Sequence, residues 1–279
     1  MGESLGESRV DSALNIFEMT GVAWALAVHK AAVASGHGPE ADFAAYRHSL
    51  LAGGFPALDT EEVELAEAEL GRAGIVGADG AVSPQWVLAA RIAASAPVRA
   101  VVVVQSEDTS VHTDLALAGG RGVGVTYARR IRHTETGVDV IEVRNAVEIS
   151  FFAEEDAWAA LRRHLPDIAD AHGPSELPAD PTGFSGAGTA YTIHLQVSAH
   201  PQESRPGGPP PVAVPAPVPP AYCTRDIWVL ADRLYSVSSG PAGDGPALTS
   251  VSPAAISQGF VWRLLGAREY LASVAEREA

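Results

Sequence analysis

The strongest constraint on fold lies after Pro97, where a β-branched run, 98-VRAVVVVQ-105, is followed by further β-prone segments at 111–118, 123–132 and 138–151. Each segment is bounded by turn residues, so this part of the chain reads as a meander of strands. The first run has no polar alternation and is expected to be a strand buried on both faces.

The turn inside this meander is unusual. The stretch 115-LALAGGRGVGVTYARR-130 carries four glycines in six residues, a density that raises the question of a phosphate-binding loop. A dinucleotide fingerprint needs glycines at i, i+2 and i+5. Counted from Gly120 the last position is Val125, and counted from Gly122 it is Tyr127. The P-loop needs a Gly-Lys-Ser/Thr run, and no lysine occurs here. A strand, not a helix, follows the glycines, so no helix N-terminus is at hand to hold an anion. The segment therefore reads as a β-turn between antiparallel strands.

Helices flank this region. A short β-prone piece at 13–17 precedes a helix from Thr20 to Ala34; a second helix fits 40–52; a third starts after Asp59, with Glu62 placed as in a capping box, and stops at Gly74. Ser83 and Pro84 then open a helix through Trp86, Val87, Ala90 and Ile92. The stretch 154–166 reads as an amphipathic helix with acids at its start and bases at its end, as the helix dipole favours. Strands are expected at 189–198, 227–239 and 246–252. The closing helix, capped by Ser252, buries Ile256, Phe260, Leu264, Ala267, Leu271 and Val274 at steps of three and four. Strands followed by a helix thus occur twice, at 98–165 and 189–276, which hints at two similar halves.

Residues 1–11 are polar and Gly/Ser-rich and are expected to be disordered. One α+β domain then covers 12–276, its first half at about 12–166, a connection at 167–188 and its second half at 189–276. The second half carries a proline-rich loop insertion at 201–221. That insertion favours extended polyproline II and reads as a solvated loop.

Chemistry is sparse. Net charge is −15, which repels a phosphate backbone and argues against nucleic-acid binding. The single cysteine, Cys223, excludes an internal disulfide and reads as a half-buried, inert thiol. The densest polar cluster is Glu107, Asp108, His112 and Asp114, whose spacing matches no metal-binding template, so a turn on an acidic protein explains it equally well. Arg130 and Arg132 fall on one side of a strand and Arg129 on the other. No histidine pairs with a serine in a G-x-S-x-G setting. The apolar run 19-MTGVAWALAV-28 is too short to cross a membrane and lacks the flanks of a signal peptide, so a cytoplasmic protein is expected. With no nucleophile, metal box or cofactor loop, the expectation is a binding protein without catalytic residues, metal or cofactor.

Several segments resemble one family. Leu70, Gly71, Arg72, Ala73, Gly74, Ile75 and Val76, then Asp79, Gly80 and Val82, are similar to a segment of the EspG family, the cytosolic chaperones of type VII (ESX) secretion in actinobacteria. The strand 98–105 follows, then a meander with Val125, Ala128, Arg129 and Val140, and a helix ending in 161-LRRHLP-166. Near the end, Trp228 to Val237 with 247-ALTSVSPAAISQGFVWRLL-265 resembles the family's last strands and closing helix. The alanine-rich, lysine-poor composition suits an actinobacterial source. The resemblance implies a central antiparallel sheet in two pseudo-symmetric halves with flanking helical regions. It also implies a chaperone that masks the hydrophobic tip of a secreted PE–PPE-like heterodimer or another ESX substrate, with a homodimer left open. Trp228, Arg233 and Tyr235 are candidate partner-binding residues, because aromatic and arginine anchors dominate protein interfaces. The competing reading is a winged-helix transcriptional regulator with a ligand-sensing domain, using the helices at 40–52 and 59–73. Against it, the stretch 59-DTEEVELAEAEL-70 carries six acids and no base.

Overall fold

The computed structural model describes residues 14–35, 60–135, 137–167, 191–201, 222–231, 233–239 and 246–278. The expected disordered N-terminus, the helix at 40–52, the Asp59 cap, nearly all of the connection at 167–188 and of the proline-rich insertion lie outside the described residues.

The chain begins with strand β1 (Asn15–Met19) and helix α1 (Gly21–Ala34). Helices α2 (Thr60–Arg72) and α3 (Pro84–Ser95) follow. Next comes the meander β2 (Val98–Gln105), β3 (Thr109–Ala118), β4 (Arg121–Thr134) and β5 (Gly137–Ala153), then a 3-10 turn at Glu154–Asp156 and the short helix α4 (Ala157–Arg162). The second run is β6 (Tyr191–Ala199), β7 (Tyr222–Leu230), β8 (Leu234–Ser239), β9 (Pro246–Ser250) and the long helix α5 (Ala255–Glu278). Together they form a mixed protein with five α-helices among the described residues and one nine-stranded sheet, ordered β1-β5-β4-β3-β2-β6-β7-β8-β9. Every strand pair is antiparallel. The central pair is β2 with β6, in register from Val98 opposite Ala199 to Gln105 opposite Thr192. From it one meander runs outward through β3, β4 and β5, and the other through β7, β8 and β9.

The two faces of the sheet carry different layers. On one, α1, α2 and α3 cover β1, β5, β4 and β3, with Trp24, Leu70, Ile75 and Trp86 buried against Val123, Val125, Val147 and Ile149. Trp86 is the hub: its ring lies 4.7 Å from Phe151, 5.0 Å from Phe17 and 6.3 Å from Trp24. Thr20 caps α1 by accepting the Ala23 N–H at 3.1 Å. Both its own N–H and its hydroxyl donate to the Glu69 carboxylate at 2.8 Å, which clips α2 to the start of α1. On the other face, α5 packs across β2, β6 and β7 through Ile256, Phe260 and Ala267, and α4 packs over β3, β4 and β5 through Ala157 and Leu161. No described helix is long and apolar enough to cross a membrane.

Three expectations change. β2 is not buried on both faces: Val98, Ala100, Val102 and Val104 are buried while Arg99, Val101, Val103 and Gln105 are only half-buried, because α5 covers one face and no described helix covers the other. The stretch 227–239 is two strands, since the chain reverses after Leu230, where the Ala231 N–H donates to the Arg233 carbonyl at 3.0 Å. The helix expected over 154–166 shortens to Ala157–Arg162, with Arg268 of α5 holding Glu154 at its entrance (Nε to Oε1, 2.7 Å).

The glycine-rich stretch is a hairpin, and its four glycines divide into two jobs. Gly119 (φ 59°) and Gly120 (φ 75°) form the two-residue turn between Ala118 and Arg121, where left-handed backbone matches the strand twist. Gly122 and Gly124 sit inside β4 and leave room for side chains. A Cβ on Gly122 would lie 2.0 Å from the Phe152 ring, and one on Gly124 would lie 2.4 Å from Ser150 Oγ and 3.1 Å from Leu115. The Phe152 ring therefore lies over backbone that carries no side chain at Gly122. Gly122→Ala should cost about 1–3 kcal/mol of overpacking, with Phe152→Leu in the same chain recovering part of it. Urea unfolding of the three proteins reads this out, and unchanged stability of Gly122→Ala would contradict the packing account.

Candidate interaction surface

One row of side chains crosses all nine strands on the α1–α3 face. Reading the register across the sheet gives Met19, Val147, Tyr127, His112, Val103, His194, Ile227, Val237 and Leu248. Its burial changes along the way. Met19, Val147 and Tyr127 are buried beneath the helices; from His112 onward every member is half-buried. The break falls where α3 ends. Arg99 marks it, donating to the Ala93 carbonyl in the last turn of α3 and to Asp114 Oδ2 at 3.0 Å. Beyond that line Val101, Val103, His194, Gln196, Ile227, Tyr235, Val237 and Leu248 form a broad, mostly apolar platform over β2, β6, β7, β8 and β9 with no described helix on it. Five strands span about 19 Å centre to centre.

The left margin of the platform is polar and tightly bonded. The Ser110 hydroxyl lies 2.9 Å from His112 Nε2, and the His112 ring stacks on Tyr127 with centroids 5.2 Å apart. Arg129 donates to the Tyr127 hydroxyl at 3.0 Å and its guanidinium lies 5.1 Å from that ring's centre. Burial, with the Arg129 charge added, pushes the His112 pKa down to about 4. Burial also lowers His194, so both imidazoles of the row are neutral at physiological pH. Burial raises the Asp114 carboxyl, and Arg99 opposes that shift; Asp114 Oδ1 is buried with no hydrogen-bond partner. The Tyr127 hydroxyl is raised by burial as well.

Glu107, Asp108, His112 and Asp114 do not converge on a metal site. Glu107 and Asp108 are exposed in the β2–β3 turn, while His112 and Asp114 are engaged in the strand, and no group of three possible ligands occurs among the described residues. Cys223 is exposed, not half-buried as expected, because it lies near the start of β7 on the face without a described helix. Arg130 and Arg132 are on the side opposite Arg129, as expected, and pair with Glu142 at 3.3 Å and Asp139 at 3.4 Å.

No protein-family model matches the chain, and a comparison with curated proteins found no match. Function is therefore read from the surface itself.

Of the three candidate anchors, Trp228 is buried at 4% exposure beneath α5, its ring 3.1 Å from where a Cβ on Gly259 would lie. Tyr235 is half-buried on the opposite face, since it pairs with Val229 and not with Trp228. Arg233 is exposed in the β7–β8 reversal. The structure does not bring the three together. Val103, His194, Ile227 and Leu248, which share the row, were not singled out in the sequence, because each is ordinary in its own strand and only the register aligns them. A separate exposed ridge, Val261, Trp262 and Leu265, runs along the outside of α5 on the far side of the sheet.

Two outcomes follow. Trp228→Ala should lose about 3–5 kcal/mol of stability, the range for emptying a buried aromatic site; a loss under about 1 kcal/mol in chemical denaturation would contradict its place in the core. For His112 the folded pKa is depressed, so the stability held by its neutral ring is whole above 6.5 and is lost as pH falls from 6.5 to about 4. NMR titration should find the His112 ring unprotonated at the upper end of that window, and a midpoint near 6.5 would refute the burial account.

Proposed function

We propose that the protein is an ESX (type VII) secretion-associated chaperone of the EspG kind, working in the cytoplasm of an actinobacterium. The platform over β2, β6, β7, β8 and β9 is where it would mask the apolar tip of a secreted PE–PPE-like heterodimer or equivalent ESX substrate. The observation that carries this reading is the half-buried apolar row from Val103 to Leu248, which the described helices leave without a covering layer. A face five strands wide, about 19 Å centre to centre, offers a protein partner a continuous strip to dock on. The three-residue ridge on α5 is much smaller.

The arrangement of the chain supports the family part of the reading. Each meander leaves the central β2–β6 pair in the opposite direction and ends in a helix, α4 after β5 and α5 after β9. Pseudo-symmetric halves of the EspG type would have this order. The acids Glu61, Glu62, Glu64 and Glu67 are exposed along α2, which favours a chaperone over a regulator that would set this helix against phosphates. Masking needs no nucleophile, metal or cofactor, and the bonded Ser110–His112–Tyr127–Arg129 margin serves to stiffen the platform's edge.

The test is co-expression with the PE–PPE-type or other helical heterodimers of an adjacent ESX locus, followed by size-exclusion chromatography. Co-elution with one of them is expected; binding to none would overturn the reading. Ile227→Asp, at the centre of the platform, should weaken binding by about thirtyfold or more, whereas Trp262→Ala should change it little. The reverse ranking would move the interface to α5.

A further inference from the structure

The charge on the platform says what chemistry its partner carries. The chain as a whole has a net charge of −15. Among the described strand residues, those facing the platform invert that sign: they include Arg99, Arg129 and Arg225 and one carboxylate, Asp114, which Arg99 already binds at 3.0 Å. Arg129 spends its guanidinium on the Tyr127 hydroxyl and ring, and its Nε is buried with no hydrogen-bond partner. Arg225 is exposed and donates from Nε to the neutral amide oxygen of Gln196 at 2.9 Å. Arg130 and Arg132, on the other side of β4, show the contrast, for each has its own carboxylate.

These two arginines stand at diagonal corners of the apolar row. Arg129 lies on the β4 side, in the row of Ser110, Gln105 and Thr192; Arg225 lies on β7, in the row of Asp114, Val101 and Gln196. Between them run Val103, His194 and Ile227, uncharged because burial holds His194 neutral. The net negative charge of the remaining surface is screened beyond about 8 Å at physiological salt, so at contact the local excess of arginine decides. A basic partner would be drawn elsewhere on this surface and would leave Arg129 and Arg225 facing like charge.

We infer that the segment docking here is an amphipathic helical tip whose apolar centre is flanked by aspartate or glutamate side chains. The inference rests on the platform being the substrate face proposed above, and it names the charge that face selects. Buried or rim arginine meeting carboxylate forms paired, geometrically specific hydrogen bonds, so it discriminates between partners more than it adds affinity.

The experiment uses the full chain and two fluorescein-labelled synthetic helical peptides with one shared Leu/Phe face, flanked by glutamates in one and lysines in the other. Fluorescence anisotropy should give at least about tenfold tighter binding of the glutamate peptide. Arg225→Glu should abolish that preference, Arg225→Lys should keep most of it, and Ile227→Asp should weaken both peptides. Arg225 is exposed, so its variants should melt as the parent does by circular dichroism. Equal or tighter binding of the lysine peptide, no binding of the glutamate peptide, or a silent Arg225→Glu would overturn the inference. So would a labelled oligothymidine that displaces the glutamate peptide, because the face would then be a nucleic-acid surface. The two proposals fail separately: a heterodimer that binds regardless of Arg225→Glu sinks the charge inference alone, whereas glutamate-peptide binding with no ESX partner sinks the chaperone reading alone.

Discussion

The rest of the structure hangs on the antiparallel pairing of β2 with β6. These two strands join over their full length, from Val98 opposite Ala199 to Gln105 opposite Thr192, and turn two separate meanders into one sheet. Strands so far apart in the chain must close a long loop before any hydrogen bond rewards them, so their pairing needs side-chain burial to hold it. α5 supplies that burial. It lies across β2, β6 and β7, with Phe260 and Ile256 in the core, and is tied at both margins: Arg263 grips Asp226 of β7 at 2.8 and 2.9 Å, and Arg268 holds Glu154 beyond β5. Two glycines set how close it comes, since Gly259 and Gly266 let Trp228 and Tyr222 pack against the helix backbone.

That arrangement commits α5 to one face, while on the other the described helices α1, α2 and α3 reach only as far as β3. The platform is the remainder. Among the described residues it exists because α3 ends at Ser95, where Arg99 donates to the Ala93 carbonyl, while the sheet continues for five more strands. A partly exposed apolar row on a sheet face is a surface with a reason to be covered. The neutral imidazoles of His112 and His194 belong to the same economy, as a charged ring in that row would oppose apolar contact.

Much of this was legible in the sequence. The β2-to-β5 meander, α1, the Ser83-Pro84 start of α3 and the burial of Ile256, Phe260 and Ala267 on α5 all follow from local rules of propensity, capping and periodicity. The hairpin at Gly119 and Gly120 was readable as a turn, but the vacancy at Gly122 and Gly124 was not. It is defined by Phe152, some thirty residues away in sequence and adjacent only across the β4–β5 pair. Trp228 shows the same limit in reverse. A tryptophan near a late strand looks like an interface anchor, yet the alternation of β7 turns it beneath α5 while Ile227, its plainer neighbour, faces the platform.

The sequence by itself determined most of the segments that become strands and helices, that the chain is acidic, and that no familiar catalytic or phosphate-binding motif is present. These are properties of single segments, set by backbone sterics, side-chain entropy and periodic burial. The tertiary structure alone decided which strands are neighbours, which face α5 occupies, and therefore that Val103, His194, Ile227, Val237 and Leu248 line up with arginines at their margins. In a sheet, side-chain neighbours are set by register between strands, and register is a property of the pair, carried by neither strand alone.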